Sequence, residues 1–305
     1  MTRFLRELGA FLLPIILLCA SIEGAIQNIP NDYSYKSNYL NANSEAIEVL
    51  FLGSSHAYCD INPVFVNRNS FNAAYVSQTL KYDYEILDKY AAHWNNLKYI
   101  VLPVSYFSLF FDLETSTEAW RVKNYTLYYG MTQSNKISNY SELLSNQLEV
   151  NLERVNSYYF RGKSNITSSK LGWGNCDQST ANKDLIETGL SAAQRHTYPT
   201  QPNIKENMSF LKAIIAFAKE KGAKVIIYTP PAFHTYVENL DDGQLSLTIE
   251  SMEQLDQEYE NVRYFNFLND VSFSETDFHD ADHLNESGAK KLTQKINKLL
   301  QDSTK

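Results

Sequence analysis

Apolar positions along the chain fall into two kinds of pattern. Five short runs are almost continuously apolar: "AIEVLFLG" (46–53), "SFNAAY" (70–75), "KYIVLPV" (98–104), "AKVIIYTP" (223–230) and "VRYFNF" (262–267). Runs of this length and kind are strands of a sheet covered on both faces, as parallel sheets are. Between and after them the spacing changes to that of helices. "YDYEILDKYAAHWNN" (82–96) places Tyr84, Leu87, Ala91 and Trp94 three and four residues apart. "IKENMSFLKAIIAFAKEKG" (204–222) carries an apolar stripe and stops at Gly222, a residue suited to a helix end. "NESGAKKLTQKINKLL" (285–300) closes the chain, with Asn285 or Ser287 placed to cap it. Strands alternating with helices predict an α/β fold. We expect a three-layer α/β/α sandwich on a mostly parallel five-stranded sheet, flavodoxin-like in type. Residues 105–203 break the rhythm: they are polar and rich in Tyr, Asn and Ser. A structureless loop that long is rare in a compact domain, so 105–203 is expected to be a large insertion with some helices, such as 140–155, over one end of the sheet.

The first segment reads differently. Arg3 and Arg6 precede an apolar run of about fifteen residues, Leu8 to Ile22, the pattern of a signal peptide or short signal anchor. The run is shorter than the ~20 residues that usually span a bilayer. Leu18 before Cys19 argues against lipidation there. Residues 1–29 are therefore expected to be an export segment, and the charge bias puts residue 30 onward outside the cytoplasm. The expectation is a membrane-anchored, extracytoplasmic protein.

Composition narrows the function. Hydrophobic content of 44% with 20% charged residues fits a folded globular protein. The net charge of −8, without a basic cluster, leaves no footprint for nucleic acid. Three cysteines, Cys19, Cys59 and Cys176, without a C-x-x-C pair, exclude a disulfide scaffold or a zinc ribbon. Cys59 and Cys176 could pair if the chain is exported.

The chemistry lies at two distant places. The first strand ends abruptly in "GSSH" (53–56), and "DADH" (280–283) precedes the last helix. An Asp three residues before a His can hold one ring nitrogen, which leaves the other to take a proton from a serine. A serine hydroxyl is a poor nucleophile until a base accepts that proton. With these residues in this order, the chain resembles the GDSL, or SGNH, hydrolase superfamily over roughly 46–104 and 204–300. The form "FLGSSHAYCDINP" with "FNAAYVSQ" and "DADHLNESGA" is similar to bacterial envelope members linked to acyl groups on surface polysaccharide.

The resemblance implies Ser55 as nucleophile, His283 as base and Asp280 as its partner, in a catalytic domain over 30–305. It implies a serine esterase or O-acyltransferase acting on acyl esters, acetyl first among them, of an envelope carbohydrate, with no cofactor. Two family elements differ here. The family's glycine after the second strand is missing, so a backbone N–H near Asn72 and Ala73 must serve the oxyanion. "PVSY" (103–106) stands where the family has Gly-x-Asn-Asp, which leaves Ser105 at the Asn position. These gaps keep a second reading open: a catalytically degraded relative that binds glycan or assists envelope assembly.

Other residues are weighed beside these. Arg121 could clamp a substrate anion or form a surface ion pair. His234, after the fourth strand, could line the cleft. Tyr106 and Trp120 could stack on a sugar or pack in the core. His56 is expected to pack beside the turn, His279 to lie in a loop, and Asp282 to be a solvated first-turn carboxylate. His279, Asp280, Asp282 and His283 also resemble a zinc ligand set, a third reading.

Overall fold

The computed structural model describes residues 1–131, 135–174, 176, 184–200 and 203–302. The helices in chain order are α1 (Thr2–Gln27), α2 (Asp32–Asn43), α3 (Ser55–Tyr58), α4 (Leu80–Lys89), α5 (Val122–Tyr129), α6 (Glu142–Ser145), α7 (Leu148–Val155), α8 (Leu185–His196), α9 (Ile204–Glu220), α10 (His234–Val237), α11 (Asp242–Glu258) and α12 (Glu286–Asp302). The chain divides into two compact units: Met1–Asn38 with Thr117–Thr167, and Tyr39–Ser116 with Ser168–Lys305.

The larger unit holds the sheet. Its strands are β1 (Val49–Phe51), β2 (Ser70–Asn72), β3 (Tyr99–Pro103), β4 (Lys224–Thr229) and β5 (Val262–Asn266), ordered β2-β1-β3-β4-β5 and all parallel. All five lie within the segments expected from the apolar runs. Side chains alternate between faces along a strand. Val49, Phe51, Val101, Ile226 and Tyr228 share one buried cluster with Leu292, Ile296 and Leu300 of α12. Those three recur every four residues, so they form one stripe of the helix. On the opposite side α9 packs on β4 and against α4, through buried Leu211, Ile214, Ile215 and Ala218. The result is the expected α/β/α sandwich.

The strand order reverses between β1 and β3. The chain leaves β1 toward one edge of the sheet and returns to continue toward the other. At such a switch point the carboxyl ends of neighbouring strands diverge and leave a crevice, where ligands of open α/β sheets bind. Gly53–His56 follows β1 at that place.

The smaller unit contains α1, 26 residues long and so about 39 Å at 1.5 Å per residue. It exceeds the expected apolar run, Leu8 to Ile22, because residues 2–7 before it and 23–27 after it belong to the same helix. Among the described residues it is the helix long and apolar enough to cross a membrane. The middle of the expected insertion, Thr117–Thr167, groups with this segment. The helix expected over 140–155 is two helices, α6 and α7, broken at Asn146 and Gln147. Ser141 caps α6 by accepting from Leu144 N–H. Glu142 is buried beneath it and binds Lys123 (2.5 Å), Arg154 (2.7 Å) and Tyr128 OH (2.7 Å). Burial alone would raise its pKa, but these partners hold it at about 2. Residues 132–134, 175, 177–183 and 201–202 of the expected insertion lie outside the described residues.

Candidate active site

The turn after β1 is fixed from several sides. Gly53 has φ +115°, and a Cβ there would lie 2.6 Å from the Pro103 ring, so glycine is required twice over. Its N–H donates to Asp83 Oδ1 (2.8 Å), which also accepts from Gln78 Nε2 (2.6 Å). Asp83 is fully buried, and burial pushes its carboxyl up to about 7 despite these two donors. Ser54 precedes α3 in extended backbone; its hydroxyl is buried and makes no hydrogen bond among the described residues. Ser55 opens α3, where the first N–H groups of a helix have no partner within it. The far end of α3 is tied down by a Cys59–Cys176 disulfide, with Cα atoms 5.5 Å apart. Gly174 N–H also donates to Tyr58 O (2.8 Å) and the Trp173 indole to Cys59 O.

The C-terminal motif is a hairpin. Strands β6 (Phe278–Asp280) and β7 (His283–Leu284) pair antiparallel, with Asp280 opposite His283. Directly opposed residues share a face, which is how a spacing of three brings carboxylate and imidazole together. Asp280 Oδ1 accepts from His283 N–H (2.9 Å), Asp282 N–H (3.2 Å) and His283 Nδ1 (3.0 Å). The other ring nitrogen, His283 Nε2, lies 2.8 Å from Ser55 Oγ. Ser55, His283 and Asp280, 228 residues apart at their extremes, form a continuous hydrogen-bonded relay. Asn285 Oδ1 then accepts from Gly288 N–H (3.1 Å) and caps α12.

A second layer surrounds the relay. Asp282 is 2% exposed, not solvated as its sequence position suggested. Its Oδ1 lies 3.6 Å from His283 Nδ1; its Oδ2 lies 3.5 Å from His56 Nε2 and 3.8 Å from His196 Nδ1. Three imidazoles therefore face one buried carboxylate. Burial lowers the pKa of His56, and that of His196 to about 3, so both are neutral near pH 7. His283 differs: burial lowers its pKa, but Asp282 first and Asp280 next outweigh that and hold it well above the ordinary imidazole range. Asp282 is correspondingly held well below the usual carboxylate range, against its own burial, mainly by His283. His56 Nδ1 lies 2.6 Å from Ser105 Oγ. Ser105 donating to Nδ1 leaves the ring proton on Nε2, which faces Asp282 Oδ2 without a hydrogen bond among the described residues. Beneath β7, buried Asp60 accepts from Leu284 N–H (3.0 Å), and burial raises its pKa well above normal.

Several expectations are corrected. The backbone N–H groups of Asn72, Ala73 and Ala74 already donate, to Leu171 O (2.9 Å), Phe51 O (2.8 Å) and Asn72 Oδ1 (3.0 Å). The Asn72 amide also clips the turn through Ala57 O and Ile61 O. Asn72 and Ala73 thus support the turn and offer no free oxyanion donor. The Ser105 hydroxyl is engaged by His56 rather than turned toward an oxyanion. His234 opens α10, pairs with Glu238 (3.1 Å) and is exposed; it does not line the site. Arg121 belongs to the smaller unit, paired with Glu118 and stacked over Trp120 (4.3 Å). Tyr106 is buried and holds Thr197 and Asp241 N–H.

The zinc set weighed as a third reading over 279–283 does not assemble among the described residues. The group whose ligand atoms fall within 4.8 Å of one another is His56, Asp282 and His283. His283 already uses one nitrogen on Ser55 and the other on Asp280, so a cation there would replace the relay rather than assist it. Sequence reasoning missed His196, Asp60 and Asp83. "QRHT", "YCDI" and "YDYE" carry no motif, and only the folded chain brings them to the site.

No family model matches the chain, and no curated protein does. Among solved structures, the chain is similar to one provisionally described as a platelet activating factor from Streptococcus pneumonia: 12% identity, TM-score 0.46, covering 96% of this chain and 99% of that one. A second, provisionally described as an acylhydrolase from Bacteroides fragilis, has 12% identity and TM-score 0.43 over 90% of this chain and 100% of that one.

Proposed function

We propose that the protein is a membrane-anchored serine esterase or O-acyltransferase of GDSL/SGNH type, acting on acyl esters of an extracytoplasmic carbohydrate. The observation that carries this is the Ser55–His283–Asp280 relay at the switch point of the sheet. Ser55 Oγ attacks the acyl carbonyl while His283 Nε2 takes its proton. The Ser55 N–H donates to the oxyanion. The leaving alcohol takes the proton back from His283, and the acyl group stays on Ser55. Water or a sugar hydroxyl then gives its proton to His283 and takes the acyl group, and His283 returns that proton to Ser55 Oγ as the ester bond breaks. Asp280 keeps the ring in the tautomer that can accept at Nε2.

Export is supported by α1 and by the Cys59–Cys176 disulfide, since disulfides persist in oxidising compartments. The direct test is mass spectrometry of the full chain after brief incubation with p-nitrophenyl acetate. The reading expects one acetyl group on the Ser55 peptide, lost faster when an oligosaccharide acceptor is added. Acetylation elsewhere, or on Ser55→Ala to the same extent, would refute it.

A second reading rests on the N–H groups of Asn72 to Ala74 being committed. One missing oxyanion donor costs about 2.7–4 kcal/mol of barrier. A relative with a spent site would bind acylated glycan without forming an acyl-enzyme, and the same experiment separates the two.

A further inference from the structure

We infer that α6, α7 and the turn after them form a lipid-facing surface that rests on the bilayer beside α1. This rests on the reading of α1 as membrane-crossing. The smaller unit buries charged and polar groups beside its apolar ones: Lys123, Glu142 and Asn151 lie inside with Val122, Tyr125 and Tyr129. Its stretch 137–160 leaves large apolar side chains outside: Ile137, Leu144, Leu148, Leu152, Tyr159 and Phe160 are exposed, Phe160 by 81% and Leu144 by 65%. In the other unit such residues are scattered, as with Val64 and Val271. Leu148 and Leu152 lie four residues apart on α7 and share one helical face, and Leu144 is exposed on the preceding α6. Exposed apolar faces of this kind on a soluble surface mark a contact with a partner or a membrane.

The position of the face selects the membrane. Both helices pack on α1. Glu23 of α1 accepts from Ser141 Oγ (2.7 Å), Glu142 N–H (2.8 Å) and Leu143 N–H (2.9 Å), and Tyr159 OH donates to Ala25 O (2.9 Å). These contacts fall at the end of the apolar Leu8–Ile22 run, which is the depth of the headgroups if that run is in the hydrocarbon. Tyrosine is enriched at that depth, and a short helix with an apolar face lies in the plane there. The exposed leucines are thus continuous with a helix already in lipid.

The test uses the full chain in phosphatidylcholine–phosphatidylglycerol vesicles. Native Cys19 of α1 is exposed and free, and a spin label there is the lipid reference. In a Cys19→Ser background, labels go one at a time on Leu144→Cys, Leu148→Cys and Leu152→Cys, with Ile186→Cys as the water reference. The readout is accessibility to oxygen relative to a water-soluble nickel complex. The inference expects that ratio at the three leucine positions to rise above Ile186 and approach Cys19. A label at Cys19 in lipid with all three leucine positions equal to Ile186 overturns this surface alone. A Cys19 label in water overturns α1 as an anchor, and this surface with it. Immobilised labels broadened by a second copy would make the face a self-association surface and likewise overturn the inference. Three independent positions keep one poorly folded variant from deciding the outcome.

Discussion

At the scale of the residue, the site turns on which carboxylate does what to His283. Asp280 holds the ring through Nδ1 and Asp282 supplies the stronger field from a buried position. A base with a raised pKa is protonated until the pH rises past it, so Ser55 should become more reactive with increasing pH, with a midpoint above that of a free imidazole, ~6.5. Asp282→Asn removes the largest of the charges that raise His283. The midpoint of Ser55 labelling by an activated ester should therefore move down in this variant, and an unmoved midpoint would show that Asp282 does not act through His283. Asp280→Ala should cut the rate by roughly 10²–10⁴-fold, the usual worth of a positioned acid–base group. Both roles were not equally legible. "DADH" shows an Asp three before a His, but the depth of Asp282 depends on His56 of α3 and His196 of α8, both distant in sequence, packing to face it.

At the scale of the element, the turn after β1 is held by Asp83 on α4, and this makes stability depend on pH. Its folded carboxyl titrates at about 7, above its ordinary 3.8. The folded state then binds the proton more tightly than the unfolded one, so stability from this group is full below about pH 4 and is lost as pH rises toward 7. Asp83→Asn keeps an Oδ1 that can accept from Gly53 N–H and Gln78. Thermal melts of this variant should lack that fall between pH 4 and 7, and an identical slope in both proteins would contradict the assignment. The disulfide at the end of α3 closes a 117-residue separation. Replacing both cysteines with alanine should lower unfolding stability by about 2–5 kcal/mol, measured by denaturant titration in non-reducing buffer. The five strands and the last helix were legible because burial on both faces forces continuous apolar runs and a 3.6-residue stripe. The split at Asn146 was not: its side chain donates to Glu142 Oε2 and Asn151 Oδ1, contacts that no periodicity announces. The two-residue hairpin of Asp280 and His283 was hidden for a similar reason: so short a pair has no periodicity to read.

At the scale of the whole molecule, one chain carries a serine relay in an α/β/α unit and an N-terminal helix long and apolar enough to cross a membrane. Each feature was foreshadowed by one short stretch, "GSSH", "DADH" and the apolar start, but the oxyanion donors were not. "FNAAYVSQ" gave no sign that its three amides would be spent on the sheet and on Asn72 itself. The central claim is that Ser55 is activated by His283. The most direct measurement is fluorophosphonate labelling of the full chain in detergent, beside Ser55→Ala and His283→Ala, with the modified peptide identified. The account predicts one labelled site at Ser55, no label in Ser55→Ala, and labelling slowed by about 10²–10⁴-fold in His283→Ala. A wild type that stays unlabelled, or a label that persists in Ser55→Ala, would contradict it.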